Sequence, residues 1–147
     1  MQGNIEEFRV GASYEAALKA ARRAVKYEGL VIAAELPLSD MLRTQLGFGL
    51  GTCTVLLVHC PFLLLEAMVM DAASATMLPV HVTISEEREG AVIRVTSPGM
   101  DAASDRAADP VRKTFERTMR SVRVAADSIK PKHLRLPAVP EQARSVG

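Results

Sequence analysis

The stretch from Gly29 to Pro79 decides the fold. It reads GLVIAAELPLSDMLRTQLG at 29–47, TCTVLLVHCPFLLLEAMVMD at 52–71 and MLP at 77–79. Two aliphatic, β-branched runs in it predict strands, and a short segment with helical spacing follows each run. Pro37 and Pro61 favour the first turn of a helix, and Gly47 favours a helix end. The stretch therefore predicts a strand, a helix, a second strand and a second helix, in that order.

Elements on either side of this stretch complete the plan. Ser13 is the predicted N-cap of a helix that ends near Lys26, and Asp109 is the predicted N-cap of a last helix with Pro110 in its first turn. Residues 71–77, DAASATM, are expected to form a mobile connection. The predicted strands cover residues 5–10, 30–36, 52–59, 78–86 and 91–96. The order β-α-β-α-β-α-β-β-α predicts an α+β fold with a mainly antiparallel sheet and helices packed on one face.

The length of 147 residues suits one domain, and 48% hydrophobic residues suffice for a core. Aromatic residues make up only 4%, so that core must be aliphatic. We expect a single domain over residues 1–130. Residues 131–147 contain three prolines and no periodicity, and are predicted to form a C-terminal tail.

The net charge and the number of cysteines argue against several classes of protein. A formal net charge of +1 gives no global field for nucleic acid or for an anionic membrane. The apolar run 54–70 is interrupted by His59 and Glu66 and falls short of the ~20 residues that span a bilayer. Two cysteines are too few for a disulfide framework. We therefore expect a cytoplasmic protein with neither a nucleic-acid nor a membrane partner.

The first helix carries a basic outer face, whose members are Lys19, Arg22, Arg23 and Lys26. A solvated face is the favoured interpretation of such a cluster, with an anion site as the alternative. The last helix and the residues after it show a similar local excess of Arg and Lys. This excess is also interpreted as a solvated face, because aromatic stacking partners are absent.

The strand over 52–59 is apolar on both faces. Val55 and Leu57 lie on one face, and Leu56 and Val58 lie on the other. Helices can cover only one of these faces. A second copy of the chain is the simplest cover for the other face, so the pattern predicts a homodimer.

Three residues are candidates for a ligand or metal site. Cys60 precedes Pro61 at a predicted helix N-terminus, where a thiolate is stabilised; a small buried cysteine is the alternative. His59 is adjacent, but neighbouring strand residues point to opposite faces, so it is badly placed to act as a base for Cys60. With His81, these two residues have the donor atoms of a borderline metal site if their strands are neighbours. No set of catalytic residues is recognised, and no cofactor is required.

Four short motifs occur in order along this stretch, the first beginning one residue before it. They are Glu28-Gly29-Leu30, Gln45-Leu46-Gly47, Leu57-Val58-His59-Cys60-Pro61 and Leu78-Pro79. Together they resemble the E-G-F, K-L-G, G-A-C-N-P and L-P-C motifs of the small bacterial and archaeal family called domain of unknown function family 302. The resemblance implies an α+β sheet of the TATA-binding-protein-like type and a homodimer, and it implies no established activity.

The departures from that pattern affect the thiols. His59 stands where the family has cysteine, Cys60 where it has asparagine, and Val80 where L-P-C ends. Both cysteines of the family's pattern are therefore absent, so a redox role built on that pair is not expected, and a site centred on His59 is the alternative. Two functions remain as expectations: a non-catalytic homodimer that binds a small ligand or a protein partner, or a thiol- or metal-handling protein that uses Cys60, His59 and His81.

Overall fold

A computed structural model describes residues 5–49, 51–97 and 105–129. These residues form five strands, four helices and one 3-10 turn, in the predicted order. The elements are β1 (Ile5–Val10), α1 (Tyr14–Tyr27), β2 (Val31–Pro37), α2 (Leu38–Leu46), β3 (Cys53–His59), α3 (Pro61–Met70), a 3-10 turn (Ala72–Met77), β4 (Val80–Glu87), β5 (Gly90–Thr96) and α4 (Asp105–Ser128). The α+β class and the order of the elements are thus confirmed.

One sheet contains all five strands, in the spatial order β1-β5-β4-β3-β2. Each neighbouring pair is antiparallel, so the prediction of a mainly antiparallel sheet is confirmed. The strands β4 and β5 form a hairpin, which pairs with β1 on one side and with β3 on the other. In the middle of the sheet, His81 lies opposite Leu57, and Thr83 lies opposite Arg94.

The core lies between one face of this sheet and the helices. Residues that alternate along the strands are fully buried on that face: Leu56, Val58, Val82, Ile84, Ile93 and Val95. α1 and α4 add small and branched side chains to the same cluster, among them Ala17, Ala21, Val25, Val111 and Val122. The predicted cap of α1 is present, since the Ser13 hydroxyl accepts a hydrogen bond from the Ala16 amide at 3.1 Å.

The predicted start of the last helix is wrong. α4 begins at Asp105, and Pro110 lies inside it rather than in its first turn. Asp109 is not a cap: its carboxylate pairs with Arg112 at 3.3 Å and with Lys113 at 3.1 Å. The physical reason is burial, because Ala108 and Pro110 both pack inside and extend the apolar side of the helix beyond the proline.

The segment predicted as a mobile connection is instead a folded turn. The Asp71 carboxylate accepts a hydrogen bond from the Ala73 amide at 3.0 Å, and the Thr76 hydroxyl donates to the Ala73 carbonyl at 2.8 Å. Ser74 is fully buried in the same turn. Local hydrogen bonds and the buried Ser74 therefore order this turn, while Ala72, Ala73 and Thr76 remain exposed.

Two other expectations concern the ends and the environment of the chain. The predicted tail, 131–147, lies outside the described residues. Among the residues that are described, no helix combines the length and the apolar character needed to cross a bilayer.

Candidate functional site

The sheet face that points away from the core cluster is called the open face here. By register, its central members are Val31, Ala34, Leu36, Val55, Leu57, His59, His81, Thr83, Ser85, Val92 and Arg94. Val55 and Leu57 are only half-buried, and Val31 is 41% exposed. The prediction that β3 is apolar on both faces is confirmed, and its second face remains outside the core cluster.

The open face is divided into an apolar part and a charged part. The apolar part lies on β2 and β3. The charged part lies on β1, β5 and β4, where Arg94 donates to the Glu7 carboxylate at 2.6 Å and to the Ser85 hydroxyl at 2.9 Å. The hydrogen bond from Arg94 holds the pKa of Glu7 below its usual value. Arg9 and Glu87 extend this network across the same face.

His59 and His81 share the open face. His81 lies opposite Leu57, and the next pair along the strands joins Val58 and Val80. The two histidines are therefore diagonal neighbours, with Cα atoms about 7–8 Å apart for such a pair. His81 is exposed, whereas His59 is half-buried. The Nδ1 atom of His59 is enclosed and has no hydrogen-bond partner within the described part of the chain.

Cys60 lies on the other side of the sheet. It belongs to the core cluster and is 6% exposed, at the residue that precedes α3. Its Sγ accepts a hydrogen bond from Nη1 of Arg117 at 3.3 Å, and Nη2 of the same guanidinium donates to the carbonyl of Glu28. Cys60 is thus enclosed against α4, and little of its sulfur surface is open to reagents.

The structure brings together two of the three predicted site residues. His59 and His81 share a face, while Cys60 points away from both of them. Across residues 5–49, 51–97 and 105–129, no group of three or more His, Cys, Asp or Glu side chains lies close enough to hold a metal ion. Two imidazoles alone are half of the four ligands of a tetrahedral zinc site.

Cys53 is a residue of the open face that the sequence did not single out. It is free and half-buried opposite Ser85, and its backbone amide donates to the Ser39 hydroxyl at 3.2 Å. Burial raises the pKa of the Cys53 thiol, so it is a poor nucleophile at neutral pH. The sequence could have indicated this position, because Cys53 lies two residues before Val55 and four before Leu57, and alternate strand residues share a face.

The residues of the basic face of α1 have two different environments. Arg22 is not simply solvated, because it forms a bidentate pair with Glu35 on β2, at 2.8 and 2.7 Å. This hydrogen bonding lowers the pKa of the Glu35 carboxyl. Lys19, Arg23 and Lys26 are exposed and line a groove between α1 and α4. No single-helix pattern could have shown that groove, since its second wall lies about a hundred residues further along the chain.

The sequence model of one family, described as "Domain of unknown function DUF302", matches residues 6–126. The chain belongs to the DUF302 family. The predicted resemblance is thereby confirmed. A crystal structure of an uncharacterized conserved DUF302 protein from Bacillus stearothermophilus is similar, with a TM-score of 0.65 and 14% sequence identity. The alignment covers 88% of this chain and 99% of that one, and at this identity it shows a shared fold.

A comparison with curated proteins finds no match. DUF302 membership therefore brings a fold without a reaction, and a proposal about function must come from the surfaces of this chain.

Proposed function

We propose that this DUF302 protein is a non-catalytic homodimer that assembles through its open face and binds a small ligand or a protein partner. The observation that carries the proposal is the apolar part of that face. Val55 and Leu57 on β3 lie beside Val31 and Leu36 on β2, outside the core cluster. An exposed apolar patch with a polar border is typical of an interaction surface.

The arrangement of charge on the open face supports a symmetric contact. Protein interfaces combine an apolar centre with a polar, hydrated rim. Here the apolar part borders the Glu7–Arg94 pair and its neighbours Arg9 and Glu87. These charges are already paired within one chain, so the rim can meet its own copy without large like-charge repulsion.

The proposal assigns no reaction to the site. His59 and Cys60 are neighbours in the sequence and have the side-chain types of a base and a nucleophile. They point to opposite sides of the sheet, however. A base must lie within hydrogen-bond reach of the group it activates, so this pair does not qualify.

Light scattering after size exclusion tests the dimer. We expect the wild type to be dimeric at micromolar concentration and Leu57→Glu to be monomeric, with an unchanged circular dichroism spectrum. Val69→Glu is the matched control, because Val69 is 76% exposed on α3, away from the sheet. This control should remain dimeric. A wild type that is monomeric throughout the micromolar range would contradict the proposal.

A second candidate function is metal handling by His59 and His81, and the observation that favours it is their shared face. Two copies of the chain would bring four imidazoles to the assembly. Elemental analysis of protein purified without chelator should then find zinc or a similar metal, which His59→Ala and His81→Ala should each remove. Wild-type protein without bound metal, also after incubation with zinc and gel filtration, would count against this candidate.

The thiol part of this alternative can be tested separately. Cys60 is buried against Arg117, so alkylation of the native protein should be slow compared with that of the unfolded protein. Fast alkylation at Cys60 in the native state would restore a thiol function. We further propose a cytoplasmic location, because Cys53 and Cys60 are both free, as expected in a reducing compartment. Cell fractionation tests this location.

A further inference from the structure

A groove of about 810 Å³ runs between α1 and α4 on the outer side of the helices. Small residues form its floor, with Ala16, Ala20 and Ala24 at intervals of four along α1 and Ala125 on α4. Because these positions carry only a methyl group, the helices leave an open channel between their larger side chains. Its volume falls within the ~300–1,000 Å³ of sites that hold one small molecule.

Larger apolar side chains border this channel. Tyr27 is 84% exposed and Val124 is 54% exposed, and both line the groove together with Ile129. Exposed aromatic and aliphatic groups around a concave floor form a surface that an apolar chain can cover. The groove lies on the helix side, away from the open face used in the proposed dimer.

One rim of the groove is cationic. Lys19, Arg23 and Lys26 lie along it, and none of the three forms a salt bridge with any described residue. No carboxylate is present among the described residues that line the groove. Lys26 acts on Glu35 only at longer range. Nearby cations are neutralised instead, as Arg22 is by Glu35.

We propose that this groove binds a free fatty acid, with the acyl chain on the alanine floor and the carboxylate at Lys19, Arg23 and Lys26. The inference rests on the ligand-binding part of the proposed function and does not require the dimer. An apolar floor beside an unpaired cationic rim is complementary to a single-chain anion. A bilayer is a worse occupant, because a membrane-binding surface must project its apolar groups, whereas these line a hollow.

Charge also disfavours occupants made of this same chain. The sequence that follows α4 carries Lys130, Lys132 and Arg135 before its first acidic residue, Glu141. A second copy of the groove would bring the same cations face to face. Like charges in either contact repel the basic rim, whereas a carboxylate is attracted to it.

Fluorescence provides a direct binding assay. The chain contains no tryptophan, so Tyr27→Trp places one reporter at the groove. Sodium decanoate, added below its micelle concentration, should shift the emission to shorter wavelength and saturate at one molecule per chain. Decanoate should bind about five- to tenfold more tightly than 1-decanol, and decyltrimethylammonium should bind more weakly than either. Affinity should rise about two- to fourfold with each added methylene.

Variants separate the floor from the rim. Ala20→Phe should weaken decanoate binding about tenfold or more, because the ring occupies the space of several methylenes. Arg23→Glu is a surface change that leaves the floor intact, so it should reduce decanoate binding while leaving 1-decanol binding unchanged. Arg88→Glu is the matched control: Arg88 is an exposed cation in the turn between β4 and β5, and this variant should bind like the wild type.

The outcomes distinguish this inference from the proposed function. Leu57→Glu should abolish the dimer and keep decanoate binding, whereas Ala20→Phe should do the reverse. The inference is overturned if decanoate gives no saturable signal, if the cationic amphiphile binds equally well, or if Ala20→Phe and Arg23→Glu both bind normally. Loss of binding in Leu57→Glu alone would move the ligand to the open face and would also overturn it.

Discussion

Arg117 joins two corners of the fold, and its replacement by methionine tests how that junction contributes to stability. From α4, its guanidinium donates to the carbonyl of Glu28 at the end of α1 and to Sγ of Cys60 at the start of α3. It also lies 3.4 Å from where a Cβ would stand on Gly29, so the turn into β2 is shaped around it. Arg117→Met keeps the apolar stem and removes every donor.

The expected cost follows from these two contacts. A hydrogen bond that involves a charged group contributes about 1.5–3 kcal/mol, and the thiol is a weak acceptor that adds little. Arg117 is half-buried, so water can replace part of the loss at the Glu28 carbonyl. We expect the free energy of unfolding to fall by about 1.5–2 kcal/mol. This corresponds to a decrease in Tm of roughly 5–8 °C for a chain of this size.

Arg120→Met is the matched control. Arg120 lies one turn along α4 and reaches the carboxylate of Glu28 at 3.5 Å, with its side chain 61% exposed. A surface ion pair of this kind contributes about 0.5 kcal/mol or less. Urea unfolding of both variants, followed by circular dichroism at pH 7, measures the difference. Equal losses in the two variants, or a loss below about 0.5 kcal/mol for Arg117→Met, would refute this explanation.

Three further predictions concern an ion pair, a glycine and the tail. Glu35→Gln should destabilise by about 0.5–1 kcal/mol at pH 7. Because the folded-state pKa of Glu35 is lowered, this stability is present above the unfolded-state pKa and is lost as the pH falls through the folded-state value; a difference from wild type that persists at pH 2 would contradict it. Gly90→Ala should cost more than about 3 kcal/mol, since φ is +148° and the new Cβ would stand 2.1 Å from a β1 carbonyl oxygen. In the control Gly51→Ala the new Cβ meets no atom within 4 Å. A thermal melt of each variant should therefore show a nearly unchanged Tm for Gly51→Ala and a clearly lower Tm for Gly90→Ala. Deletion of residues 131–147 should leave Tm almost unchanged, and a drop of many degrees would identify them as part of the fold.

Local signals account for the part of the fold that the sequence predicts well. Ser13 caps α1 and Gly47 ends α2 in a left-handed conformation, because both roles depend on neighbouring backbone atoms alone. Alternation along β4 likewise separates buried positions from open-face positions, whereas on β5 the open-face residue Val92 is itself fully buried. The start of α4 was predicted wrongly because a local rule about Pro110 competed with burial against distant residues, which a local pattern does not contain.

In the candidate site, too, the sequence predicts what depends on local geometry and misses what depends on distant residues. The opposite directions of His59 and Cys60 follow from strand geometry and were predicted. The contact between Cys60 and Arg117 joins residues 57 positions apart, and no spacing in the sequence indicates it. The groove beside Lys19 also needs two helices to exist. It therefore appears only after the chain has folded, although its alanines are visible in the sequence.

The two edges of the sheet determine how far association can proceed. β1 forms one edge and carries Glu6, Glu7 and Arg9; β2 forms the other, where the register is interrupted between Ile32 and Ala34 and the strand ends at Pro37. Charges, a bulge and a proline all hinder a further strand from adding to an edge. Copies of this chain should therefore not extend the sheet into a fibril, and the proposed contact, in which the same face of each copy is buried, would end at two copies.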